Sequence, residues 1–179
     1  METRLGRVTD SRAGGTAGKD SKTYKLSLPS AWVNAMCLAE HEGRVILSFD
    51  GEAIHVRPVQ SMDQYRTSRM EQGHDLLEIR YYNGDCLCTL IYADRIAKDL
   101  LAENYTEQSV KTAFGKKQFP SWADLESFLE ERCIPRQRAG LREYLEALGL
   151  SEFDPLAIIR KTKGRMAEDD QWMEVREIK

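Results

Sequence analysis

The stretch 21–58, SKTYKLSLPSAWVNAMCLAEHEGRVILSFDGEAIHVRP, decides how the first third of this chain folds. Within it Lys22-Thr23-Tyr24-Lys25-Leu26-Ser27-Leu28 alternates, with Tyr24, Leu26 and Leu28 on one face and Thr23, Lys25 and Ser27 on the other, the period of a half-buried strand. Pro29 has no N–H to give a sheet ladder and stops it, and Ser30 is of the type that accepts from an orphan N–H at a helix start. Trp32, Val33, Met36 and Cys37 recur at helical spacing and predict a short helix, about nine residues long. Residues 44–49 and 52–57 read as two strands around Asp50-Gly51, a dipeptide that supplies the positive φ of a tight hairpin turn; Pro58 closes the unit.

In its order of strand, Leu-Pro, short helix, acidic turn, strand, Asp-Gly turn and strand ending in Arg-Pro, this run resembles the AbrB/MazE/SpoVT swapped-hairpin DNA-binding domain. The resemblance implies a homodimeric β-barrel in which two chains exchange hairpins, with the loop and strand before the proline placed on double-stranded DNA. The chain departs from that family in a longer loop, in Val33 and Asn34 where basic residues often follow the proline, and in Cys37 where a glycine usually ends the helix. Burial points to the same assembly. A domain of roughly 55 residues buries only about 60% of its unfolded surface. Leu26, Leu28, Trp32, Val45, Leu47, Ile54 and Val56 are too few for a self-sufficient monomeric barrel.

The 179 residues carry a formal charge of −3 and a pI near 5.7, which is not the balance of a nucleic-acid binder, but an average hides local fields. Residues 1–39 hold Arg4, Arg7, Arg12, Lys19, Lys22 and Lys25 against Glu2, Asp10 and Asp20, a net +3. The glycine-rich loop 11–22 joins a first strand expected over about 3–9 to the second. It is not a Walker phosphate loop: Asp20 stands where the Mg²⁺-binding hydroxyl is needed, and no helix follows. Two readings stay open for it, a solvated hairpin connection and a DNA arm whose small residues let backbone N–H groups approach phosphates. On the second, the DNA contacts expected are Arg7, Arg12, Lys19, Lys22 and Lys25, with Asn34 as a residue able to read an adenine edge or touch phosphate.

Cys37, Cys86, Cys88 and Cys133 have neither zinc-site spacing nor the density of a secreted disulfide scaffold and are expected to be reduced, with Cys86 and Cys88 as small core residues on one strand face. No apolar run approaches the ~20 residues needed to span a bilayer, and no signal-peptide hydrophobic region opens the chain, so a cytoplasmic location is expected. Residues 59–75 are polar, mixed in charge and without apolar period, and read as a linker with room for a short helix over 62–70. Beyond it, 76–82 and 87–92 flank Asn83-Gly84, a strong hairpin signal, and 99–105 is a third strand. Helices are expected over about 107–114, from Ser121 with its capping-box variant to Asp124, over about 137–148, and from Asp154-Pro155 to about 161, with a closing strand at 172–175. The fold class is therefore α+β: an AbrB-like swapped-hairpin barrel with one short helix over 1–58, then a domain over 76–179 of a small antiparallel sheet and about four helices.

Residues 119–175 resemble a segment of small Firmicute mobile-element proteins and of proteins encoded beside HipA-like kinases, which implies a partner-binding or regulatory module. Arg132, Arg136, Arg138 and Arg142 cluster about Pro135; they suit a partner surface, a second DNA contact or a nucleotide phosphate, and equally surface ion pairs with Glu131 and Glu143. His41, His55 and His74 are separated from one another, and Glu168-Asp169-Asp170 has no second cluster to complete a metal site; no catalytic constellation, metal or cofactor is expected. The function expected is a dimeric transcription regulator of antitoxin or repressor type. The alternative is a protein-binding inhibitor acting through 76–179, an antitoxin of a kinase or ribonuclease toxin or an inhibitor of a bacterial defence nuclease such as an anti-CRISPR.

Overall fold

A computed structural model describes residues 2–12, 22–38 and 43–179. The chain divides into two compact units, Met1–Val59 and Gln60–Lys179.

In the first unit β1 (Val8–Arg12) pairs antiparallel with β2 (Lys22–Leu26), α1 spans Ser30–Ala35, and β3 (Val45–Phe49) pairs antiparallel with β4 (Ile54–Pro58). The first strand lies later than the expected 3–9 because its register is set by β2, with Val8 opposite Leu26 and Arg12 opposite Lys22. Helix α1 is six residues long and starts one residue early: Pro29 is the N-cap, without a side-chain cap bond, and Ser30 is already helical. It ends in a Schellman turn. Cys37 takes the left-handed φ of +52° that glycine normally supplies, Leu38 N–H reaches Val33 O at 3.0 Å, and Leu38 is buried. The Asp50-Gly51 turn forms as the sequence indicates, with Asp50 Oδ1 accepting from the N–H groups of Glu52 (2.9 Å) and Ala53 (2.8 Å). The two hairpins are separate two-stranded sheets, and a single chain closes no barrel among its described residues.

The second unit is built on a four-stranded antiparallel sheet in the order β7-β6-β5-β8, formed by β5 (Leu76–Asn83), β6 (Cys86–Asp94), β7 (Asp99–Asn104) and β8 (Gln171–Ile178). One face is packed by α3 (Trp122–Glu131), α4 (Leu141–Leu148) and α5 (Pro155–Thr162), which bury Leu125, Phe128, Leu129, Leu145, Ile158 and Ile159 against Leu77, Ile79, Tyr81, Ile91 and Met173. The other face takes α2 (Met62–Glu71), whose Tyr65 is buried on Leu76 and Tyr92. The result is a three-layer α/β/α arrangement.

Three segments differ from what the sequence predicts. The stretch 59–75 is not a tether: Ser61 and Gln64 form a reciprocal capping box, and α2 is fastened by Arg69 to Asp99 (2.8 Å) and by His74 Nδ1 to Asp94 Oδ2 (2.6 Å). Residues 107–114 form a single 3₁₀ turn at Ser109–Lys111, because Thr89 Oγ1 takes the Ala113 N–H and the Thr112 hydroxyl shares its one proton between the Ser109 (2.9 Å) and Gly115 (3.0 Å) carbonyls, drawing the chain off the helical ladder. Cys86 and Cys88 do not share a core face: the register shifts between Tyr81 and Tyr82, so Thr89 faces Tyr81 and Leu87 faces Tyr82, leaving Cys88 buried and Cys86 exposed. All four cysteines are free, and burial pushes the Cys133 thiol up to about 11. No helix among the described residues is long and apolar enough to cross a membrane.

Several carboxyls of this unit sit below their ordinary range. Lys117 and Ser121 hold Asp124 at about 2, and hydrogen bonds from Arg132 pull Asp169 down. At Asp94 burial opposes ionisation, but the N–H of Ala97, the His74 ring and the N–H of Ile96 outweigh it. A depressed native carboxyl stabilises above its unfolded pKa of about 4 and loses that contribution as pH falls through the native value. The melting temperature of this unit is therefore expected to fall between about pH 4 and pH 2, followed by tryptophan fluorescence in a Trp32→Phe chain. An Asp124→Asn variant should show a shallower fall, and an identical profile would contradict the assignment.

Candidate nucleic-acid interface

In the β1–β2 hairpin, directly opposed residues share a face. Thr9, Ser11, Thr23 and Lys25 line one face and Val8, Asp10, Arg12, Lys22, Tyr24 and Leu26 the other. The first face is entirely hydrogen-bonding, with Lys25 as its cation; the second runs from apolar at Val8 and Leu26 to cationic at Arg12 and Lys22, where the hairpin opens into residues 13–21. Lys22 is partly offset by Asp10 at 2.7 Å, both side chains being more than half exposed. Arg7 precedes β1 and is exposed, as is Asn34 on α1. Lys19 lies outside the described residues, as do His41 and most of the glycine-rich loop. The expected contacts thus divide over two faces of the hairpin and the helix. Beside them Glu2 ties the first residues to α1, accepting from Trp32 Nε1 at 3.0 Å and from Arg4. Those two bonds, Trp32 first, hold its carboxyl below the usual range.

The β3–β4 hairpin is segregated more sharply. Val45, Leu47, Phe49, Ile54, Val56 and Pro58 share one face by register, and Ile46, Ser48, His55 and Arg57 the other. On the apolar face Leu47, Phe49 and Ile54 are 65%, 70% and 69% exposed, while Leu38 is the one buried hydrophobic residue of the unit among those described. Tyr24 and Leu26, expected half-buried, are also largely exposed. Covering side chains of this size contributes roughly 1.5–3 kcal/mol each when complete, so three largely exposed ones, flanked by the half-buried Val45, Val56 and Pro58, are a large unmet term.

The arginines about Pro135 do not form one surface. Arg132, expected to bind a partner, is an internal fastener with only 7% of its surface exposed. Its guanidinium forks onto Asp169 (2.6 and 3.0 Å) and donates to Gly164 O (3.0 Å) and Gln171 O (2.8 Å). The reason is desolvation: a guanidinium placed here must have nearly every donor satisfied, and the segment 164–171 supplies the acceptors. Tyr81, whose hydroxyl burial pushes up to about 12, remains protonated and donates to Gln171 Oε1 beside it. Gly164 permits this approach, since a Cβ there would stand 3.3 Å from Arg132 Cβ at a φ of +58°. Arg136 is exposed, paired with Glu130 at 2.6 Å and stacked 4.3 Å from the Phe153 ring centre. Arg142 pairs with Glu146 within α4, and Arg138 stands exposed in the turn before it.

A groove of about 550 Å³ runs between the β6–β7 turn and α3, with Arg95 and Lys98 on one rim and Glu126 and Glu130 on the other, so its charges oppose each other. His74 and Asp94 form the one buried His–carboxylate contact described, but Asp94 also accepts from Ile96 and Ala97, which makes it a clasp for α2. Among the described residues no three His, Cys, Asp or Glu side chains are grouped to hold a metal.

One basic feature of the sequence lies outside the expected contacts. Residues 160–165, Arg-Lys-Thr-Lys-Gly-Arg, carry four cations in six positions at the end of α5. Lys163 there adopts a φ of +58°, a left-handed conformation that costs a residue with a side chain about 1 kcal/mol. Comparison of the chain with protein-family models, with curated proteins and with solved structures finds no match.

Proposed function

We propose that the chain is a homodimeric DNA-binding regulator whose first unit pairs with a second copy through the apolar face of β3–β4, in the manner of a swapped-hairpin barrel, and binds duplex DNA through the β1–β2 hairpin and α1. The observation that carries the reading is that face: six apolar side chains aligned by register, of which Leu47, Phe49 and Ile54 are largely exposed and Val45, Val56 and Pro58 only half-buried. A second copy supplies the self-complementary cover that two-fold pairing requires. Pairing also doubles the cations that each face of the β1–β2 hairpin can bring to phosphates, Lys25 on one face and Arg12 and Lys22 on the other, with Arg7 ahead of β1. The self-contained core of the second unit favours an added role in binding a protein, since DNA binding by the first unit does not require it.

The test is a salt series of binding to a duplex from the chain's own upstream region. Affinity is expected to fall steeply with salt. Lys25→Ala should weaken all sequences alike and lower the slope by about one per cation lost, whereas Asn34→Ala should cost about 1–3 kcal/mol of discrimination at one position. Binding that is indifferent to salt, or absent at low salt, overturns the reading.

A further inference from the structure

We propose that the C-terminal end of α5 is a phosphodiester-binding site of the second unit, in which Lys161, Lys163 and Arg165 contact the backbone of duplex DNA. The duplex as ligand rests on the function proposed above; the site itself rests on geometry within the second unit. Of the four cations in 160–165, Arg160 has a carboxylate partner, Glu177 at 2.7 Å. Lys161, Lys163 and Arg165 are exposed and make no ion pair among the described residues. Cations at a helix C-terminus are favoured by its dipole, but that preference neither requires three of them nor brings two onto one ring.

Two of the three are brought together. Lys163 Nζ lies 4.8 Å and the Arg165 guanidinium carbon 5.1 Å from the centre of the Trp172 ring. That ring is fixed: it stacks on Tyr82 at 4.4 Å and 11°, and its Nε1 donates to Gly84 O at 2.7 Å. Two like charges on one rigid aromatic ring repel each other, and an anion placed between them offsets that repulsion. Asp169, three residues before Trp172, is spent on Arg132. The backbone points the same way. Lys163 holds a left-handed conformation that glycine adopts without strain, as its neighbour Gly164 does at the same φ, yet the position carries an ammonium group. Lys163 and Arg165 have their charged ends held against the Trp172 ring and so present concentrated charge rather than a side chain extended towards a guanine edge; the ligand chemistry is the phosphodiester and the contact is independent of sequence.

The conformation also supplies the experiment. Lys163→Gly removes the charge and relieves the backbone, so its melting temperature should equal or exceed that of the wild type, and any loss of binding is not a loss of folding. In the full chain the pair Lys163→Gly/Arg165→Ala should lower the slope of log K against log salt by about two per chain, equally on specific and unrelated duplexes. An unchanged slope and affinity, with the wild type binding normally, overturns this site and leaves the first-unit reading intact. A slope lowered by this pair but untouched by replacing Arg12, Lys22 and Lys25 together with Ala supports this site and removes the first-unit reading. A wild-type chain that binds no duplex at low salt overturns both.

Discussion

Arg132→Ala is expected to destabilise the second unit by about 3 kcal/mol, at the lower end of the cost of breaking a buried charge pair because Asp169 keeps roughly a third of its side chain in water. The loss has several parts. Asp169 is left without its fork, Gly164 O and Gln171 O lose their donors, and the void falls beside Tyr81 and Met173 in the core. The link between the end of α3 and the strand β8, 39 residues further along the chain, goes with them. Thermal melts followed by the fluorescence of Trp122 and Trp172 should show the second unit shifted down by on the order of 10 °C. Arg132→Lys should recover only part of this, since an ammonium cannot span both Asp169 oxygens and the two carbonyls. A variant with wild-type melting would mean that the guanidinium is not held as described, and would return Arg132 to the surface role the sequence suggested.

The second large effect concerns Leu47, at the centre of the apolar face of β3–β4. In a lone chain it is an exposed side chain, and Leu47→Lys should change stability by no more than a strand-propensity difference, under about 1 kcal/mol. In the proposed dimer it is covered, and the substitution buries two ammonium groups per assembly. At ~3 kcal/mol or more, the dimer dissociation constant should rise at least 100-fold, and affinity for DNA should fall with it. Ser48→Lys, one residue on and on the opposite face, bears the same strand cost and should leave pairing unchanged. Equal behaviour of the two variants would separate the DNA-binding reading from the apolar face.

What could be read from the sequence was what neighbouring residues decide. Asp50-Gly51 and Asn83-Gly84 set their own turns, Ser121 and Asp124 close a capping box, and Asp154 caps a helix opened by Pro155 through the Leu156 N–H at 2.9 Å. What escaped reading depends on distant partners. Helix α2 looks like a tether because its surface is polar, and it is held by Asp94 and Asp99, which lie 20 and 30 residues beyond His74 and Arg69. Residues 107–114 look helical, but Thr89 diverts one of their N–H groups. Arg132 looks like a surface cation until Asp169, 37 residues on, is folded against it. The candidate interface divides in the same way: the alternation of 22–28, which already sets Lys25 opposite Lys22, is local, whereas the placement of Arg12 beside Lys22 follows from the pairing with β1.

The central claim, that the first unit is completed by a second copy, is tested most directly by sedimentation equilibrium of the full chain over nanomolar to micromolar concentrations, with Leu47→Lys run beside it. The expected result is a wild-type mass of twice 20.5 kDa at micromolar concentration, dissociating on dilution, and a single-chain mass for the variant over the same range. A wild-type chain that sediments at 20.5 kDa throughout, with its first unit folded, would contradict the account.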